Sequence, residues 1–252
     1  MAAKIRVLCV DDEPAFAETV ADFLRNRDDR FNVTTATSAQ VALSLINERS
    51  IHCVVSDYQM PKMDGIDFLS AVRGERPGIP FILYTGKGSE SIASDAINAG
   101  VTDYLQKGSG TDTYDLLENR IKNAVESYRN ERALRETQTR FRLLVEESTD
   151  SIFIVARDGT LEYASPVADR HTGHPADELV GTNITDYVHP DDLERTRQQF
   201  AWLVEHPEER MSLELRFERE SGPPIHVEAR GRNLLSHPMI SGIVVYVREN
   251  PV

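Results

Sequence analysis

Cys53-Val54-Val55-Ser56-Asp57-Tyr58-Gln59-Met60-Pro61-Lys62-Met63-Asp64-Gly65 starts apolar, runs out of hydrophobic residues at Ser56 and at once presents a carboxylate. A continuous apolar run suits a strand buried on both faces of a parallel sheet, and Pro61 with Gly65 forces a loop before the next helix. Asp57 is therefore expected at the carboxyl edge of the sheet, beyond the strand end, where open α/β sheets hold their ligands. We take it as the working residue.

The stretches on either side repeat the same unit. Ile5 to Val10 is an apolar run that stops at Asp11-Asp12-Glu13, and Pro14 opens a segment with Phe16, Val20, Phe23 and Leu24 at helical spacing. Strands over Asn32 to Ala36, Ile51 to Ser56, Phe81 to Tyr84 and Val101 to Leu105 follow. The helices between and after them span about Ser38 to Arg49, Gly65 to Arg73, Ser89 to Ala99 and Tyr114 onward. Five strands alternating with five helices predict a parallel sheet covered on both faces by right-handed crossovers. That topology gathers strand ends, so Asp11, Asp12, Asp57, Thr85 and Lys107 are expected to converge. Carboxylates crowded at one edge call for a cation, and Mg²⁺ held by a few carboxylates and waters suits a site that handles phosphate. Lys107 and the Thr85 hydroxyl would donate to phosphoryl oxygens, with Asp57 as nucleophile. The turn Gly86-Lys87-Gly88-Ser89 lacks the spacing of a phosphate-binding loop and is read as a lead into the next helix.

Length and charge narrow the function. At 252 residues the chain is long enough for two domains with separate cores. Its 41 acidic and 28 basic residues give a net charge of −13, which repels a phosphate backbone and excludes nucleic acid as the expected partner. Only Cys9 and Cys53 are present, each inside an apolar run, and both read as small core residues. No run reaches the ~20 apolar residues that cross a bilayer, so no membrane partner is expected and the expected location is cytoplasmic.

Residues from about Ala3 to Tyr128 resemble the receiver domain of two-component response regulators. The likeness is carried by Val10-Asp11-Asp12-Glu13, Ser56 to Gly65, Tyr84-Thr85-Gly86 and Asp103-Tyr104-Leu105-Gln106-Lys107. It implies a flavodoxin-like fold in which Asp57 accepts a phosphoryl group from a partner's phosphohistidine. Asp11, Asp12 and Asp57 would hold Mg²⁺ with the Gln59 backbone carbonyl, Thr85 and Lys107 would bind the phosphate, and Tyr104 would be the aromatic that moves inward with Thr85. The family usually has Pro after the Lys, whereas Gly108 stands here, which bears on the loop from Gly108 to Gly110.

Tyr114 to Glu147 contains neither Pro nor Gly and predicts a long connecting helix. Leu117, Ile121, Ala124 and Tyr128 form one apolar seam, and Leu134, Phe141, Val145 and Ser148 another, with Arg129 to Arg132 between them as the point for a kink or register change. Beyond it, Ser151 to Ala156 and Thr160 to Ala164 flank the hairpin signal Asp158-Gly159. Strands over Ser212 to Arg219, Ile225 to Asn233 and Gly242 to Arg248 complete an antiparallel α+β sheet. Phe141 to Arg248 resembles a PAS domain, on Ser148 to Val155, Asp158 to Pro166, Thr172 to Gly181 and His189 to Asp192, with Ser165 where the family commonly has Asn. The resemblance implies a sensory or dimerising module whose ligand is unreadable. The absence of Cys from this half excludes flavin-adduct chemistry. His171, His174, His189, His206, His226 and His237 show no metal-ligand spacing, so neither haem nor flavin is predicted, and His189-Pro190-Asp191-Asp192 reads as a helix cap.

The expected layout is a receiver over 1–125, a helical linker over 126–140 and a PAS domain over 141–249. The expected function is phosphoryl acceptance from a sensor histidine kinase or phosphotransfer protein. The signal would pass through the linker to a downstream protein partner or a homodimer formed through the linker helix and PAS domain, with at most autophosphatase activity. The alternatives are a Mg²⁺-dependent aspartyl-phosphate phosphohydrolase, disfavoured by Gln59 two residues after Asp57 and by the lack of a substrate cap, and a fragment of a hybrid sensor histidine kinase.

Overall fold

A computed structural model describes residues 3–86, 90–108 and 110–250; the turn expected over Gly86 to Ser89 and Ser109 of the loop before the long helix fall largely outside them. The chain forms two compact units, Met1–Arg135 and Glu136–Val252.

The first unit alternates β1 (Ile5–Val10), α1 (Pro14–Arg27), β2 (Phe31–Ala36), α2 (Ala39–Glu48), β3 (Cys53–Ser56), α3 (Gly65–Glu75), β4 (Phe81–Thr85), α4 (Glu90–Asn98) and β5 (Asp103–Gln106) before entering α5 (Thr111–Glu146). The strands are parallel in the order β2-β1-β3-β4-β5. Alternate residues of each strand enter different cores. Val7, Cys9, Val55, Ile82 and Tyr84 pack with Val20 and Leu24 of α1 and with Leu117, Ile121 and Val125 of α5. Leu8, Val10, Val54, Phe81 and Leu83 pack with Ala42 and Ile46 of α2 and Phe68, Leu69 and Val72 of α3. Burial on both faces accounts for the unbroken apolar runs, and each fully buried Leu, Val or Phe contributes about 1.5–3 kcal/mol. Local chemistry sets the helix starts. Pro14 opens α1, Ser38 Oγ accepts from Val41 N at the start of α2, and Asp64 Oδ1 accepts from Ile66 N and Asp67 N at the start of α3.

Helix α5 differs from its sequence reading. It begins at Thr111, earlier than Tyr114, and runs without interruption through Arg129 to Arg132. That polar stretch is rich in good helix formers, so propensity carries the helix across a gap in the seam. Leu117, Ile121 and Val125 are buried, whereas Leu134, Phe141 and Leu144 are 60, 66 and 68% exposed.

The second unit holds β6 (Ser151–Val155), β7 (Leu161–Ala164), α6 (Ala168–Thr172), α7 (Ala176–Leu179), a 3₁₀ turn (Ile184–Tyr187), α8 (Pro190–Glu205), β8 (Arg210–Phe217), β9 (Ile225–Leu234) and β10 (Gly242–Glu249). Its sheet is antiparallel throughout, in the order β7-β6-β10-β9-β8. Gly159, at φ +94°, closes the β6–β7 hairpin where Asp158-Gly159 signalled a turn. The core gathers Phe153, Val155, Leu161, Leu179, Leu203, Leu213, Phe217, Val227 and Val245. Among the described residues, no helix is long and apolar enough to cross a membrane.

Candidate functional site

Three backbone hydrogen bonds fix the strand ends from which the site is built. Asp11 N donates to Ala36 O (3.1 Å), Asp57 N to Val10 O (2.8 Å) and Lys107 N to Thr85 O (2.8 Å), which ties β1 to β2, β3 to β1 and β5 to β4 at one edge, while the register of β3 with β4 joins the two groups. Asp57 and Asp11 are 8 and 5% exposed, so both carboxylates are withdrawn from water. Lys107 Nζ lies between them, 2.7 Å from Asp11 Oδ2 and 3.0 Å from Asp57 Oδ1. The first contact is an aligned hydrogen bond; the second is a coulombic contact that leaves Asp57 Oδ1 with no aligned donor. The remaining carboxylate oxygens are held locally: Asp57 Oδ2 accepts from Gln59 N and Asp11 Oδ1 from Glu13 N, both at 3.0 Å.

The electrostatics follow from burial. Desolvation pushes the Asp11 carboxyl above its ordinary value, the Asp57 charge pushes the same way, and the Lys107 ammonium and the Glu13 N–H offset only part of this. Burial alone would push the Lys107 ammonium down, but its contacts with Asp11 and Asp57 outweigh that and hold it above its ordinary value. The cluster is thus two anions sharing one cation.

The loop from Asp57 to Gly65 is closed by Gly65 N donating to Tyr58 O (2.8 Å). A Cβ at Gly65 would meet Asp57 O at 2.5 Å, Leu83 Cδ2 at 2.7 Å and Tyr58 Cα at 2.9 Å, so only glycine allows α3 to start against the site. Gly108 has a comparable role. A Cβ at that position would run into Thr113 Oγ1, so its absence admits the first turn of α5.

The other expected residues divide. Thr85 is 1% exposed and ends β4 two positions beyond Leu83, the partner of Ser56, so it reaches past the end of β3 toward the edge that carries Asp57. Tyr104 is half-buried against the core under α2 to α4, and burial raises its phenol. Asp12 and Gln59 are exposed. Among the described residues, no group of three or more His, Cys, Asp or Glu is arranged to hold a metal ion; Asp11 and Asp57 instead flank Lys107. Sequence reading assigned Phe16 only to an apolar helix face, but its ring centroid lies 4.1 Å from Lys107 Nζ.

In the second unit Ser151, His171, Ser165 and Asn233 are engaged in structure, whereas the buried Arg219 Nε has no hydrogen-bond partner among the described residues. Ser151 Oγ pairs with His171 Nδ1 (2.5 Å), and burial holds that imidazole below its ordinary value. Ser165 Oγ accepts from Ile152 N (2.9 Å). Asn233 Nδ2 donates to Leu203 O and Val204 O, and its Oδ1 accepts from Leu235 N. His189 caps α8, its Nδ1 accepting from Asp191 N, as its sequence context indicated.

Comparison with known proteins divides the chain in the same way. The model of the response regulator receiver domain matches residues 7–119, and the PAS fold model matches residues 139–249. The probable chemotaxis protein CheY of Rhizobium etli is 34% identical over 109 residues, 42% of this chain and 84% of that protein. The probable transcriptional regulatory protein TcrX of Mycobacterium tuberculosis is 37% identical over 103 residues, 41% of this chain and 43% of that protein. A protein-glutamate methylesterase/protein-glutamine glutaminase of Pectobacterium atrosepticum is 37% identical over 108 residues, 42% of this chain and 30% of that protein. The chain therefore spans less than half the length of these last two relatives. A solved receiver domain from Clostridium thermocellum is 29% identical with a TM-score of 0.45, covering 50% of this chain and 97% of that one. Since the strand-end motifs, the β2-β1-β3-β4-β5 sheet and a chemotaxis relative matched over most of its length all concern the same half, the chain belongs to the response regulator receiver family of two-component signalling and carries a PAS domain after its receiver.

Proposed function

We propose that Asp57 is the phosphoacceptor. The supporting observation is the Lys107 ammonium seated between two buried carboxylates at the strand ends, one of which keeps an oxygen without an aligned donor. A carboxylate oxygen of Asp57 bonds to the phosphorus of a partner's phosphohistidine while the P–N bond breaks, and the bonding pair remains on the imidazole nitrogen, which takes up a proton from solvent. Lys107 and the Thr85 hydroxyl receive the phosphoryl oxygens, and the half-buried Tyr104 follows Thr85. The donor is a sensor histidine kinase or a phosphotransfer protein. The chain acts as a signalling protein, its enzymatic activity limited to loss of its own phosphoryl group.

Receiver domains are generally Mg²⁺-dependent, and the donor set here fits that ion. Mg²⁺ needs only one or two carboxylates beside waters and phosphate oxygens, so the lack of a three-residue ligand cluster among the described residues is no obstacle. Asp11, Asp12 and Asp57 with the Gln59 carbonyl would hold it, and it would supply charge neutralisation for the transferring phosphoryl group. The test is labelling of the full chain by a phosphohistidine donor or acetyl phosphate in Mg²⁺. Wild type should acquire one phosphoryl group and Asp57→Ala none; equal labelling of both would remove Asp57 from the role.

The layout of receiver over 1–125, linker over 126–140 and PAS domain over 141–249 gives the signal a route along α5. Leu134, Phe141 and Leu144, exposed along that helix at the seven- and three-residue spacing of a paired-helix seam, support pairing with a second copy of the chain. Light scattering over a concentration series checks this: a dimer should lose affinity on Leu134→Glu with Phe141→Glu, and a monomer at every concentration ends the idea.

A further inference from the structure

The Lys107 ammonium has three N–H donors. One is bonded to Asp11, Asp57 Oδ1 lies 3.0 Å from the nitrogen as a coulombic contact, and the ring of Phe16 stands against the same nitrogen, its centroid 4.1 Å away. The ring is itself backed by Tyr84, 2% exposed, with ring centroids 5.9 Å apart. Phe16 lies in the first turn of α1, whose start is set by Pro14 and by the Glu13 N–H held on Asp11 Oδ1, while Asp11 Oδ2 takes Lys107. One carboxylate therefore anchors both the cation and the helix turn that brings the ring to it. We propose that Phe16 is a positioning residue for phosphoryl acceptance, its aromatic face locating the Lys107 ammonium beside Asp57.

The physical reason lies in what a ring offers that an oxygen does not. The negative face of an aromatic attracts a cation and excludes water, yet carries no lone pair to compete with phosphoryl oxygens. A third carboxylate at this place would hold Lys107 back from an arriving phosphoryl group. An aliphatic side chain of similar size would fill the space without directing the charge. Phe16 keeps the ammonium located and free to re-aim.

The inference rests on Asp57 being the phosphoacceptor, and the experiment separates the two. In NMR spectra of the full chain, the Lys107 ε-methylene protons should show an upfield ring-current shift that Phe16→Leu abolishes and Phe16→Tyr retains. With acetyl phosphate, Phe16→Leu should slow Asp57-dependent labelling about three- to tenfold, Phe16→Tyr should label near the wild-type rate, and Phe16→Leu should add nothing in a Lys107→Ala background. Wild-type labelling by Phe16→Leu overturns the proposal, as does an equal loss in the Leu and Tyr variants, which would make the effect one of packing. If wild type acquires no Asp57-dependent label, the phosphoacceptor reading fails, and the positioning role falls with it. The ring-current shift would still report whether ring and cation meet.

Discussion

Both units bury polar side chains, but they do so in opposite ways. At the receiver edge, Asp11 and Asp57 carry like charge, share one cation and leave Asp57 Oδ1 without an aligned donor. Inside the PAS unit, Ser151 meets His171, Ser165 takes the Ile152 N–H, and Asn233 satisfies two carbonyls and an amide at once. A buried group whose bonding is complete fixes a fold; a buried charge with capacity unspent is available to a reagent. If Asp57 is the phosphoacceptor, the same burial serves chemistry in one unit and architecture in the other.

The largest test of that contrast is Lys107→Ala. Removing the shared cation strands two buried carboxylates, and the receiver should lose about 3–5 kcal/mol, measured by native-state hydrogen exchange at the β1, β3 and β4 amides. Adding Asp57→Ala should restore much of the loss, because one stranded charge disappears. A loss under 1 kcal/mol would mean that solvent already compensates the pair.

A smaller effect is expected from Asn233→Leu, which leaves the α8 carbonyls and the Leu235 N–H without that partner and should destabilise the PAS unit by about 1–3 kcal/mol. Trp202, the single tryptophan, lies in α8 and reports this unit alone in a urea titration. Receiver labelling should not change, so a variant that also loses phosphoryl acceptance would blur the division between the two kinds of burial.

The smallest concerns pH. His171 is 4% exposed and burial holds its imidazole below 6.5, so the unfolded chain binds a proton more readily than the folded one. Stability of the PAS unit should therefore be complete above pH 6.5 and decline as pH falls below it, levelling once the folded imidazole itself protonates. His171→Gln should flatten that slope in the Trp202 signal; an unchanged slope would assign it to another group.

Much of the receiver was legible because its strands end where their apolar runs meet carboxylates, so position along the chain already implied position on the sheet. Asp11, Asp57 and Lys107 could be assembled on paper for that reason. Phe16 could not, since an aromatic at helical spacing looks the same whether it meets a core or a cation, and only the packing of α1 against β4 distinguishes them. The long helix itself was legible from the absence of Pro and Gly, but its unbroken passage through Arg129 to Arg132 was not, because seam reading registers faces and ignores propensity. In the PAS unit the Asp158-Gly159 turn and the His189 cap are local and were readable. The Ser151–His171 pair joins residues on different elements and leaves no pattern in the sequence.

Gly65 carries a lesson for genetics. Its α-hydrogen sits against the carbonyl of Asp57, so any larger residue there must displace the loop that carries Asp57. If Asp57 is the phosphoacceptor, a screen for inactive variants should recover Gly65 substitutions alongside those of Asp57 and score an added methyl group as though the glycine took part in the reaction.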